Sequence, residues 1–218
     1  VRDPKLGDGA MVLGVSRPPA LAAGEAYALD EDAAGAGGAA SGPAALRHAR
    51  YTLVPPVPPG DDGSVAIPFV EIHDAPAVAF RGLHLCVFHE TTPAMIERAI
   101  RLAAFLKFTH VVLEFWGMLR LESLKELSWP EAWTRRDAGR LVAAARAMGL
   151  EVIPMFNSWG HASAGRNKYG RPVVLDQNPK LAPLFEPDGW PWCLTNPRTQ
   201  VLLRSVADGL IEFDRPGA

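Results

Sequence analysis

The 218 residues carry 22 Lys and Arg against 24 Asp and Glu, a formal net charge of −2, and 48% of them are apolar. That balance fits a globular chain of one sizeable domain with or without an appendage, and it offers no basic surface for nucleic acid or an anionic membrane. No apolar run approaches the ~20 residues that a bilayer span needs, and the first residues lack the basic start and apolar core of a signal peptide, which favours a cytoplasmic location.

Residues 1–63 read as a reduced, partly disordered lead-in. The stretch AAGAGGAASGPAA from Ala33 to Ala45 is low in complexity and holds nothing large to bury. VPPVPPGDDG, Val54 to Gly63, has the composition of a stiff polyproline spacer ending in a turn. Between them ALRHARYTLV fits a short helix or a strand, and GEAYALDED fits a strand with a polar end. From residue 64 the character changes. Val65, Ile67, Phe69, Val70 and Ile72 suggest an extended segment.

A pattern then repeats. GLHLCVF, Gly82 to Phe88, is short, apolar and bounded by turn signals, as a fully buried strand would be. Thr92 and Pro93 supply a cap and a first helical residue, after which Ile96, Ala99, Ile100, Ala103 and Leu106 share one helical face. HVVLEF, His110 to Phe115, predicts the second strand. Thr134 and Asp137 form a capping-box-like pair that opens the second helix, with Leu141, Val142, Ala145 and Met148 as its stripe and Gly149 as its stop. LEVIPMF predicts the third strand. Asn196 and Pro197 open a third helix bearing Leu202, Val206, Leu210 and Phe213. Three strand–helix units with apolar strands imply an α/β protein with a parallel sheet, either doubly wound or a (β/α) barrel.

In both architectures ligand sites form at the carboxyl ends of the strands. The unusual residues fall there: His89 and Glu90 after the first strand, Glu114, Trp116 and Gly117 at the second, and Asn157, Trp159, Gly160 and His161 after the third. Trp190 and Trp192 follow on the next loop. Trp side chains offer flat apolar platforms on which a sugar ring can stack while hydrogen bonds hold its hydroxyls. Each residue also has a structural reading. Trp129 and Trp133 read as loop packing, and His84 and His110 as structural histidines. Glu114 in an apolar strand needs a partner if buried, so a site role and a structural one weigh evenly. Cys86 and Cys193 make no disulfide framework, and Cys86 reads as a small buried hydrophobe. No His, Cys or Asp cluster has metal-ligand spacing along the chain, and nucleophile-elbow, Walker A and dinucleotide glycine signatures are missing, so no metal or other cofactor is expected.

EIHDAPAVAFRGLHL, Glu71 to Leu85, resembles the entry to the catalytic barrel of glycoside hydrolase family 20, the β-N-acetylhexosaminidases, where an acidic-Ala-Pro turn leads through an Arg-Gly pair into the first strand. Asp74, Ala75, Pro76, Arg81 and Gly82 match. AMGLEVIPMFNSWGHA is similar to that family's third strand, with Gly160 and His161 as its Gly-His pair, and WCLTNPRTQVLL to the opening of its third helix. The resemblance covers Val65 to Ala218. It implies the first three units of a (β/α)₈ TIM barrel over residues 64–218 and a substrate-assisted retaining mechanism that removes terminal N-acetylhexosamine. It also implies sugar binding by Arg81 and a supporting role for His161 beside the catalytic acid. Glu114 lies near the position of a second-strand acidic residue.

FWGMLR and NSWGH depart from the family's usual forms, which marks a divergent branch, and the family's Asp-Glu pair ends a fourth strand that does not follow here. The expectation is therefore a chain inactive by itself that self-associates through an open sheet edge. The alternatives are a non-catalytic carbohydrate-binding protein using Trp116, Trp159 and Trp192, or a fragment without activity.

Overall fold

The computed structural model describes residues 12–15, 25–32, 35–53, 71–115, 117–125, 127–162, 174–175 and 178–214. They fall into two compact units. One takes the described residues up to Arg81 together with Phe105–Lys107, and the other takes Gly82–Ala104 and the described residues from Phe108 onward.

The first unit contains strands β1 (Val12–Val15), β2 (Tyr27–Asp32), β3 (Gly35–Ala40) and β4 (Glu71–Asp74) and helix α1 (Pro43–Leu53). The sheet runs β1-β3-β2-β4. Strands β2 and β3 pair antiparallel from Tyr27 opposite Ala40 to Asp32 opposite Gly35. Within the low-complexity stretch Gly35–Ala40 forms strand β3 and Pro43 starts α1, although it holds nothing large to bury. Ladder hydrogen bonds need only backbone, and small side chains let α1 approach the sheet closely. Ala40, Ala45 and Ala49 are buried there with Tyr27, Leu29 and Leu53. Ala45–Leu53 of ALRHARYTLV resolves as helix, opened by Pro43 in the position where its missing N–H costs nothing. The polyproline spacer and the segment Val65 to Val70 lie outside the described residues.

A polar knot closes the unit. The Tyr27 hydroxyl donates to Asp74 Oδ2 at 2.6 Å, and Lys107 Nζ donates to both, at 2.6 Å and 2.8 Å. Hydrogen bonds from Lys107 and then Tyr27 hold the Asp74 carboxyl below its usual range, while burial, reinforced by Asp74, pushes the Tyr27 phenol up. Lys107 sits at φ 62° in the left-handed region, a strained conformation for a residue other than glycine.

The second unit repeats strand and helix: β5 (Gly82–Cys86), α2 (Pro93–Phe105), β6 (His110–Glu114), the two-residue strands β7 (Leu119–Arg120) and β8 (Trp133–Thr134), α3 (Arg135–Ala147), β9 (Glu151–Met155) and α4 (Pro197–Asp214). The helix signals act as read. Thr92 Oγ1 accepts from Met95 N. Thr134 Oγ1 accepts from Asp137 N and donates to its carboxylate. Asn196 Oδ1 accepts from Arg198 N at 2.9 Å. Gly149 ends α3 at φ 82°, with Leu150 N bonding back to Ala145 O. Helix α2 stops at Phe105, one residue short of Leu106, which is left exposed.

Strands β5, β6 and β9 form a parallel sheet in sequence order, with Gly82, His110 and Glu151 in one row and Cys86, Glu114 and Met155 in the last. Both crossovers step the same way, so right-handed connections put α2 and α3 on one face. Val111, Leu113 and Val152 point to that covered face and are buried. The other face carries His84, exposed, and Ile153, 41% exposed. β5 is thus half open rather than fully buried, because among the described residues it is an edge strand. Phe115 meets Phe213 and Trp133 edge-on at 6.0 and 6.3 Å, and Arg135–Glu212 and Arg146–Asp214 ion pairs join α3 to α4.

Candidate functional site

The carboxyl ends of β5, β6 and β9 gather the candidates of the second unit. After β9 the chain turns on Asn157, whose Oδ1 accepts from the backbone N–H groups of Trp159 and His161, at 3.3 and 3.4 Å. That one side chain organises the turn, so Asn157 is at least partly committed to backbone. The turn pushes Trp159 into solvent, 72% exposed. His161 is also exposed and meets the Trp190 ring edge-on at 5.3 Å. Trp159, His161 and Trp190 therefore form an accessible aromatic and imidazole surface. Gly160 has open space where a Cβ would stand, so the close approach that would demand glycine there is not seen.

Trp192 is not part of that surface. It is 2% exposed, lies 4.4 Å from the Phe185 ring centroid and donates from Nε1 to Asn157 O at 3.2 Å. Its backbone N–H bonds Trp159 O. Trp192 is the buried support of the turn, and the platform reading for it is corrected: the ring is sealed between aromatic neighbours and its one donor is used. Trp129 and Trp133 are buried, as read. Trp116 lies outside the described residues.

The structure does not bring Arg81 to the carboxyl ends. It immediately precedes Gly82, so it stands at the amino end of β5. Its guanidinium donates to Lys107 O at 2.8 Å, to Val78 O at 2.6 Å and to the Glu25 carboxylate. These partners are all in the first unit.

Glu114 is 2% exposed at the end of β6. Its Oε2 lies 2.9 Å from His84 Nε2 and accepts from the Cys86 thiol at 3.4 Å. Its Oε1 is buried without a hydrogen-bond partner among the described residues. Chain spacing does not show this trio, because register alone puts Glu114 opposite Cys86. The available signal was the His-x-Cys pair of β5, whose side chains share one face. A separate concavity, lined by Arg120, Lys125, Ser128 and Trp129 among others, lies beside the loop after β7.

No family model and no curated protein matches the chain. Solved structures do. The exo-β-N-acetylglucosaminidase of glycoside hydrolase family 20 from Vibrio harveyi, in complex with N-acetylglucosamine, superposes with a TM-score of 0.71 at 16% identity, over 93% of this chain and 36% of that one. The family 20 β-N-acetylhexosaminidase from Streptomyces coelicolor A3(2) gives 0.74 at 22% identity, over 95% and 46%. The β-N-acetylhexosaminidase from Bacteroides fragilis gives 0.69 at 19%, over 92% and 43%. At these identities the likeness is one of fold. The chain spans less than half the length of each of these proteins.

Proposed function

We propose that these residues form the amino-terminal part of a β-N-acetylhexosaminidase of the family 20 kind, which removes terminal N-acetylhexosamine. The observation that carries the reading is the fold likeness over more than nine-tenths of the chain to enzymes of that activity. The sequence order of the parallel sheet supports its finer part, a (β/α)₈ barrel whose first three strands are β5, β6 and β9, because a doubly wound sheet reverses strand order. The open face would then line the barrel, and the turn at Asn157 would stand at the ligand end.

In this mechanism the 2-acetamido oxygen of the substrate attacks the anomeric carbon as the glycosidic bond breaks. A Glu protonates the departing oxygen, and an adjacent Asp orients the acetamido group. In the resembling family that pair ends the fourth strand, beyond the three parallel strands described here. Within the chain, Trp159 would stack on the sugar ring and His161 would support the acid through hydrogen bonding. Acid catalysis by a positioned carboxyl contributes ~10²–10⁴-fold.

The test is hydrolysis of a chromogenic N-acetylglucosaminide by the protein in its complete reading frame. Turnover is expected, with His161→Ala lowering kcat while the fold is kept; no turnover, or unchanged kinetics in the variant, refutes the reading in turn. A second reading, a carbohydrate-binding protein without catalysis, draws on the 72% exposure of Trp159. It requires N-acetylglucosamine binding without turnover by the complete protein, lost in Trp159→Ala.

A further inference from the structure

We propose that His84, Cys86 and Glu114 form a site for one zinc-type divalent cation on the open face of the β5–β6 pair. The three donor atoms converge. His84 Nε2 and Glu114 Oε2 are 2.9 Å apart, Cys86 Sγ and that oxygen 3.4 Å, and Cys86 Sγ and His84 Nε2 3.8 Å. Bonds of about 2.3 Å to sulfur and about 2.0–2.1 Å to nitrogen and oxygen at tetrahedral angles put such donors about 3.6 Å apart when sulfur is one of them, and about 3.4 Å apart for nitrogen and oxygen. Each observed separation lies within about half an ångström of its value, so a small opening of the His84–Glu114 contact admits the ion. Among the described residues this is the group of three His, Cys, Asp or Glu donors close enough to share a metal.

An independent observation points the same way. The Glu114 carboxyl is almost wholly buried, yet its Oε1 has no hydrogen-bond partner among the described residues. A buried carboxylate oxygen left unpaired is costly. A cation held by Oε2 lies beside Oε1 and neutralises the whole group. The donor set chooses the metal class. One thiolate and one imidazole exclude the hard, all-oxygen preference of calcium and magnesium and suit zinc. Thiolate and carboxylate together balance a 2+ charge. Binding would displace the thiol proton of Cys86 to solvent, and His84 would ligate through Nε2 as the neutral imidazole with its proton on Nδ1. Backbone rigidity favours the site: His84 and Cys86 are alternate residues of one strand, and Glu114 is the ladder partner of Cys86. Three protein donors leave a fourth position for water or another ligand.

Cobalt(II) titration of the metal-stripped protein, followed by absorbance, tests this. One equivalent should produce a thiolate-to-cobalt charge-transfer band that zinc then removes by displacement. Cys86→Ser should abolish the band, and Cys193→Ser should keep it. His84→Ala and the near-isosteric Glu114→Gln should each weaken binding at least tenfold, with unchanged far-ultraviolet circular dichroism. A band that survives Cys86→Ser, or that is lost with Cys193, overturns the proposal. So does a wild-type melting temperature that does not rise with saturating zinc, a readout independent of whether any variant folds. None of these outcomes depends on glycosidase activity.

Discussion

Two tryptophans thirty-three residues apart should respond oppositely to removal. Trp192 is 2% exposed, packs on Phe185 at 4.4 Å and on Phe156 at 6.2 Å, and donates its indole N–H to Asn157 O. Deleting a buried Trp costs about 3–5 kcal/mol, because the cavity collapses only in part. The Asn157 carbonyl also loses its donor. Trp192→Ala should therefore destabilise the second unit by about 4 kcal/mol, a fall in melting temperature of about 8–16 °C for a chain of this size. Trp159 is 72% exposed, so Trp159→Ala should change stability by no more than about 0.5 kcal/mol. Urea unfolding followed by far-ultraviolet circular dichroism reads both, since fluorescence would be altered by the substitutions themselves. Trp192→Phe keeps a ring against Phe185 but lacks the donor, and should cost about 1–2 kcal/mol. The reasoning fails if Trp192→Ala costs less than about 1 kcal/mol, or if Trp159→Ala costs more than about 2 kcal/mol.

Asp74→Asn should lower stability near neutral pH by about 1 kcal/mol, a value discounted because the pair with Lys107 is partly exposed. Asp74 is held below its usual range, so its contribution is present above an unfolded value near 3.9 and is lost as pH falls through the lower folded value; thermal melts of both proteins should converge across that acid window, and a constant gap would refute the assignment. Gly117→Ala would place a Cβ 2.7 Å from Leu127 O and 2.8 Å from Trp129 Nε1. Backbone must move, at about 1–3 kcal/mol, and a urea midpoint unchanged from wild type would show that the loop yields freely. Among the described residues β9 ends its sheet with Ile153 exposed, an edge that should let the chain associate; sedimentation as a monomer with a sharp cooperative melt would refute that.

Local rules carried far in this chain. Helix starts at Thr92, Thr134 and Asn196 and the stop at Gly149 were legible, because caps and left-handed glycines are decided within a turn of backbone. The strand–helix alternation was legible for the same reason, since apolar period and turn residues are local properties. For Trp159, four residues past the end of β9, the sequence left ligand contact and packing evenly weighed, and its exposure was not legible there.

What sequence alone determined is therefore the kind of the three parallel strands and three helices of the second unit and the end of the sheet where unusual residues collect. Tertiary structure decided the rest. It put Trp192 inside and Trp159 outside, although both are tryptophans on loops, because burial depends on which neighbours the fold supplies. It made a strand of Gly35–Ala40, since a partner ladder can hold a segment whose side chains offer little. It left β5 half open, because edge position is a property of the sheet and not of the strand. And it set Glu114 beside Cys86 and His84, a meeting fixed by parallel register between residues twenty-eight and thirty positions apart.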